Sequence, residues 1–159
     1  VDPFYLAKAA KIAGHNPEII LAGRKINDFM PRFIFNNAAK KIKKKSRILI
    51  LGLTFKENVK DIRNSKAANL EKLFKETGYY VDVYDPLADK KQALKDYGIK
   101  LVFPKNEYQC IIITVAHKEF LKMPFKKIIN LFANPSLLID IKNVWTSKKL
   151  PKYISKWSL

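Results

Sequence analysis

From Arg47 onward the chain alternates short apolar runs with stretches of helical period. Ile48-Leu49-Ile50-Leu51 is an unbroken apolar run closed by Gly52, and Cys110-Ile111-Ile112-Ile113-Thr114-Val115 is another. Runs this short, bounded by turn residues, predict strands buried on both faces. The pattern predicts strands over 47–52, 79–84, 110–115 and 136–140, with a short one near 100–102. Between them it predicts helices over 65–77, 88–97 and 124–132, and Gly78 and Gly98 stand where two of these stop, as left-handed caps. Such alternation predicts an α/β fold with a parallel sheet and right-handed crossovers. Beyond the last strand the chain turns polar, and an irregular tail is expected.

The first third of the chain reads differently. Asp2-Pro3-Phe4-Tyr5 opens a helix with an acid before a proline in the first turn, and Gly14-His15-Asn16-Pro17 ends it. A second helix follows, with apolar residues at Ile19, Ile20, Ala22, Ile26, Phe29, Met30, Phe33, Ile34, Ala38 and Ile42, at three- and four-residue spacing. The pattern carries it over 17–45, with Pro31 kinking it or restarting it at Met30. A helix of about 28 residues is roughly 40 Å long, more than one small core can cover. Its apolar face packs either on a second copy of the chain or simply as a covering helix.

Composition narrows the function classes. With 159 residues, 48% of them hydrophobic, the chain suffices for one ordinary core and an appended element. No apolar run approaches the roughly 18–20 residues that cross a bilayer, and Val1-Asp2-Pro3 lacks the layout of an export signal. The single cysteine, Cys110, lies in an apolar run and reads as a buried hydrophobe, which fits a reducing, cytoplasmic setting. No metal-ligand constellation is expected. A net charge of +17 invites a nucleic-acid partner, but the cations are scattered, with one dense run at Lys40-Lys41-Ile42-Lys43-Lys44-Lys45 and no interleaved aromatics. Solvated lysine-rich surface is the favoured reading.

The loop after Gly52 holds the candidate chemistry. The Gly-x-Gly-x-x-Gly spacing of a dinucleotide site is absent. Lys56, Lys60 and Arg63 with the single acid Asp61 instead lead into a helix, an arrangement that suits an anionic ligand. A solvated loop in which Asp61 and Ser65 cap that helix stands beside it as an equal alternative. Asp85 sits where a dinucleotide fold places its ribose-binding carboxylate, or serves the turn before Pro86. His117 ends a strand without an identified partner and reads as a helix-capping or surface residue. Lys142, at the end of the last predicted strand, adds a cation at the same edge.

Gly52-Leu53-Thr54-Phe55-Lys56, Asp61-x-Arg63-x-Ser65 and Tyr84-Asp85-Pro86, together with Ile26-Asn27-Asp28-x-Met30-Pro31, resemble the carboxyl-terminal region of the UDP-glucose/GDP-mannose dehydrogenase family. The resemblance covers residues 1 to about 144. It implies a Rossmann-like parallel sheet with helices on both faces, preceded by a long N-terminal helix. Residues 1–45 would be a central helical dimerisation segment, forming a homodimer through the helix over 17–45, and residues 46–159 a UDP-sugar-binding domain. The family oxidises the C6 alcohol of a nucleotide sugar to the carboxylate with NAD, through a cysteine-bound intermediate. Val1-Asp2-Pro3-Phe4-Tyr5-Leu6 resembles the segment just after that cysteine. The resemblance thus implies that the nucleophile and most of the NAD site lie outside these residues, and that the chain alone is inactive. It assigns Asp2 to proton handling, Phe55 and Lys56 to the nucleotide sugar, and Arg63 to NAD. Arg24 and Lys142 are further substrate-binding candidates, Lys142 standing where relatives carry an arginine. Val-Asp-Pro-x-Tyr-Leu and Gly-Arg-x-Ile-Asn-Asp resemble the UDP-N-acetylhexosamine branch more than the UDP-glucose branch. A non-catalytic nucleotide- or anion-binding module is the alternative.

Overall fold

The structure is a computed structural model, described for residues 2–105, 107–145 and 147–159, with Asp2 described by its backbone only. The strands are β1 (Arg47–Leu51), β2 (Tyr80–Tyr84), β3 (Tyr108–Ile113), β4 (Phe132–Asp140) and β5 (Ile154–Trp157). The helices are α1 (Asp2–Ile12), α2 (Glu18–Ala39), α3 (Lys66–Glu76), α4 (Lys90–Tyr97), α5 (Lys118–Lys122) and α6 (Phe125–Ile129). One sheet holds the strands in the order β2-β1-β3-β4-β5, and every pairing is parallel. No helix among the described residues is long and apolar enough to cross a membrane.

The expected α/β architecture follows from the two-residue period of a strand. Ile48, Ile50, Cys110, Ile112, Leu137 and Ile139 face one layer, where they join Ile34 and Ala38 of α2, Leu70 and Phe74 of α3 and Ala93 of α4. Leu49, Leu51, Ile111, Ile113 and Leu138 face the other, with Phe120, Ile128 and Trp145. A strand buried on both sides needs unbroken apolar sequence, which is what β1 and β3 have. Cys110 is sealed in this sheet, and burial pushes its thiol well above the usual range.

Four expectations are corrected. The second helix stops at Ala39 rather than near Lys45, because only Ile42 of the lysine run still reaches the core and Lys45 takes a positive φ of 63°. Of the two outcomes expected at Pro31, a restart at Met30 is not seen, since α2 runs through it. Pro31, Ile34 and Ala38 form its buried stripe, and Phe35 meets Phe74 edge-on at 5.0 Å, so packing on α3 outweighs one lost backbone hydrogen bond. The tail is not irregular throughout: Ile154–Trp157 pairs with β4 as the edge strand. The strand expected near 100–102 reduces to one bridge between Val83 and Leu101.

Candidate functional site

Carboxyl ends of parallel strands open onto a crevice wherever the strand order reverses. Here that point lies between β1, which leads outward to β2, and β3, which starts the opposite direction. A cleft of about 790 Å³ sits at this edge. Its walls come from α2 (Arg24, Asn27, Pro31), the β1–α3 loop (Thr54, Phe55, Lys56, Asp61, Arg63), the end of β3 (Thr114, Val115) and the turn after β4 (Ile141, Lys142). Arg24, Phe55, Lys56, Arg63 and Lys142, spread over more than a hundred residues of sequence, therefore line one cavity. Asp2 lies outside the residues whose side chains are described, though its neighbour Pro3 lines the same cleft.

Each cation is held differently. Arg63 is mostly exposed, and its guanidinium grips Asp61 through Nε and Nη2, at 2.9 and 2.7 Å. That hydrogen bonding draws the Asp61 carboxyl down to about 2. Lys142 Nζ stands 3.4 Å from Glu57 Oε1, an ion pair across the cleft mouth. Lys56 has no carboxylate within ion-pair distance among the described residues and lies over the Phe55 ring at 5.5 Å. Arg24 stacks on Phe4 at 4.8 Å and approaches Asp28, whose carboxylate Lys66 also binds. The Lys66 hydrogen bond, with lesser help from Arg24, lowers the Asp28 carboxyl.

Ser65 caps α3, accepting from the Ala68 N–H at 3.2 Å and donating to the Leu53 carbonyl at 2.6 Å. The serine is thus spent on the cap, as one reading of this loop expects, while Lys56 and Arg63, but not Lys60, are among the residues lining the cleft.

Beneath the loop is a polar cluster that sequence reasoning did not assemble. Asp85 is buried and accepts five hydrogen bonds: Leu87 and Ala88 N–H on Oδ1 at 2.8 and 2.9 Å, and Leu53 N–H, Thr54 N–H and His117 Nε2 on Oδ2 at 2.6, 3.0 and 3.0 Å. Burial by itself would raise the carboxyl; the His117 bond and the amides of Leu53, Thr54 and Leu87 overcome it and hold the group well below the carboxylate range. His117, expected as a helix-capping or surface residue, is fully buried. It occupies the N-cap position of α5 without a capping bond, its ring turned to Thr54, Asn58 and Asp85. The signal available in sequence was only that both residues end strands, which puts them at one sheet edge.

Gly52, at φ 102°, is the one glycine of this edge. A Cβ on it would lie 2.7 Å from Val115 Cβ and 2.9 Å from the Val115 backbone nitrogen. The residue is required by the approach of β1 to the end of β3, not by a ligand. With that space filled and Asp85 saturated from within, these residues do not fit an NAD molecule held in the manner of a dinucleotide fold.

A parallel sheet of order 2-1-3-4-5 with a cationic cleft at its switch point defines a Rossmann-like α/β domain. Residues 49–147 match the model of the UDP-glucose/GDP-mannose dehydrogenase family, UDP binding domain, and the chain belongs to that family. It is 38% identical over 167 residues to protein CapL of Staphylococcus aureus, covering 100% of this chain and 39% of that protein. It is 39% identical over 150 residues to the UDP-N-acetyl-D-glucosamine 6-dehydrogenase of Pseudomonas aeruginosa, covering 89% of this chain and 36% of that one. In fold it is similar to an NDP-N-acetyl-D-galactosaminuronic acid dehydrogenase from Methanosarcina mazei, with a TM-score of 0.74 at 24% identity over 99% of this chain and 36% of the other. The chain thus spans less than two-fifths of the length of these relatives.

Proposed function

We propose that the chain is the UDP-sugar-binding part of an NAD-dependent nucleotide-sugar 6-dehydrogenase, one that oxidises a UDP-N-acetylhexosamine or UDP-glucose to the uronate in the cytoplasm. The observation that carries this reading is the convergence of Arg24, Phe55, Lys56, Arg63 and Lys142 on one switch-point cleft in a chain of this family. Phe55 stacks on or packs against the nucleotide sugar, while Lys56 and Lys142 neutralise its diphosphate. Lys142 offers a point charge rather than a bidentate fork, so it contributes attraction more than orientation. Arg24 closes the cleft from α2. Arg63 reaches toward the cofactor from the rim, and Asp2 handles a proton near the reacting carbon. Cys110 is sealed within β3 and cannot act as the nucleophile, so the chain alone turns nothing over.

Residues 1–45 form the dimer contact in this reading. Ile19, Ile26, Phe29 and Phe33 lie on one side of α2 and are exposed, an apolar stripe that a second copy would cover about a two-fold axis. Sedimentation at micromolar concentration should find dimers, and a monomer alone would count against this part.

Calorimetry with UDP tests the cleft. The unaltered chain should bind UDP, and Lys56→Ala should weaken it by about 10- to 100-fold, the worth of one charge-assisted hydrogen bond. An unchanged affinity, or NAD reduction by the chain on its own, would refute the reading.

A further inference from the structure

Residues 55–60 are all exposed, so the loop that presents Phe55 and Lys56 has no apolar anchor of its own between the buried Leu53 and Ile62. Phe55 is 54% exposed, yet the backbone around it is tied down at Thr54, Phe55, Lys56 and Asn58. The Asn58 N–H donates to His117 Nδ1 at 3.0 Å, and Asn58 Oδ1 accepts from the Lys118 N–H at 2.9 Å. Asn58 holds φ 61°, which asparagine tolerates better than most residues. Thr54 Oγ1 donates to the Lys56 carbonyl at 3.0 Å, and the Phe55 N–H donates to the Asp61 carbonyl at 2.7 Å.

These bonds fix the state of the imidazole. Because an amide N–H points at Nδ1, that nitrogen is the acceptor and the ring proton sits on Nε2. Thr54 Oγ1 has already given its own proton to Lys56, so it accepts from Nε2–H at 2.9 Å, sharing it with Asp85 Oδ2 at 3.0 Å. One fully buried ring, packed on Phe120 at 5.5 Å, therefore joins the ends of β1, β2 and β3 on one side and the cleft loop on the other. A ring that only filled space would bury its nitrogens at a cost. Here both are satisfied, and a satisfied buried network specifies a single geometry.

We infer that His117 is a positioning residue of the cleft: through Asn58 and Thr54 it holds Phe55, Lys56 and Glu57 in the pose that receives the ligand. The inference rests on the UDP reading above. It deepens that reading, because a loop ordered beforehand does not lose its freedom again on binding.

Two variants of the 159-residue chain separate positioning from plain packing. In His117→Gln the terminal amide reaches the Nε2 position and keeps a donor for Asp85 and Thr54, but nothing remains to accept from Asn58. In His117→Asn the side-chain oxygen falls near the Nδ1 position and restores that acceptor. Amide hydrogen exchange and UDP calorimetry are read together. His117→Gln should lose protection at Asn58 by tenfold or more, with protection at Ile50 and Ile112 unchanged, and should bind UDP about tenfold more weakly, as for one lost hydrogen bond. His117→Asn should recover most of both. Unchanged protection at Asn58 would overturn the inference. So would a uniform loss across the sheet, or a loosened loop with full UDP affinity. If the unaltered chain binds no UDP, the reading of the cleft fails, and exchange at Asn58 still decides whether His117 fixes the loop.

Discussion

Asp85→Asn keeps the shape of the side chain and removes its charge, and the hydrogen-bond geometry sets the cost. Both carboxylate oxygens accept from buried or half-buried amides, two on Oδ1 and two, plus His117, on Oδ2. An amide has one oxygen, so its NH₂ must face at least two N–H donors whichever way it turns. The cheaper orientation gives up Leu87 and Ala88 and keeps the clamp on Leu53 and Thr54. Two unmet donors at roughly 1–3 kcal/mol each come to roughly 2–6 kcal/mol. For a chain of this size, at about 2–4 °C per kcal/mol, the melting point should fall by roughly 4–24 °C. Thermal unfolding followed by circular dichroism, with urea midpoints as a check, measures it. A fall of less than about 2 °C would mean the five bonds are not what joins β1 to β2, since even one unmet donor exceeds it.

The same variant has a signature in acid. The folded carboxyl of Asp85 lies well below its unfolded value, because the His117 and amide hydrogen bonds overcome the opposing effect of burial. The unfolded chain thus binds this proton more readily than the folded one. The stabilisation is fully present above about pH 4, the unfolded range, and is lost as pH falls through it toward the folded value. Removing the group should flatten the loss of stability between about pH 4 and pH 2. A steeper acid limb in Asp85→Asn would refute the assignment.

Gly52→Ala should cost on the order of 2–4 kcal/mol in urea unfolding, since its methyl group meets Val115 side chain and backbone and φ 102° is strained for any L side chain. Adding Val115→Ala should recover little of this, because it removes only the Cγ contact while Val115 Cβ at 2.7 Å and the backbone nitrogen at 2.9 Å remain. Cys110, buried with its thiol pushed up, should resist an aromatic disulfide reagent in the folded chain and react on unfolding; rapid labelling without denaturant would contradict the sheet. UDP binding should weaken with added salt, as exposed Lys56 and Lys142 supply the attraction, and an affinity indifferent to salt would point instead to buried amides as the donors.

The framework was legible in sequence where burial on both faces forces unbroken apolar runs, as in Ile48–Leu51 and Cys110–Ile113. It was not legible where tertiary partners decide. Ile154-Ser155-Lys156-Trp157 carries a charge and has polar neighbours. It becomes a strand because Lys156 reaches buried Asp140 at 3.3 Å and Trp157 meets Phe33 of α2 at 6.1 Å. Pro31 breaks the local rule for helices and is overruled by packing on α3. The cleft's cations were visible as residue types, and motif spacing grouped most of them. Their support was not, since His117, Asp85 and Asn58 are joined across 32 and 59 residues of sequence.

Asp85 shows how far this edge departs from a dinucleotide site. In a dinucleotide fold the carboxylate at the end of the second strand faces outward to a ribose, and glycines let the backbone meet the phosphates. Here the carboxylate turns inward and is consumed by the loop it supports, while Val115 fills the space beside the single glycine. Backbone recognition of phosphate is thereby closed off at this edge, and in the function proposed above anion binding passes to side chains standing above the clamp. Lysines and an arginine on a mobile loop would bind indiscriminately. In the proposed site, the inward carboxylate and the buried imidazole are what let exposed side chains act as a fixed site.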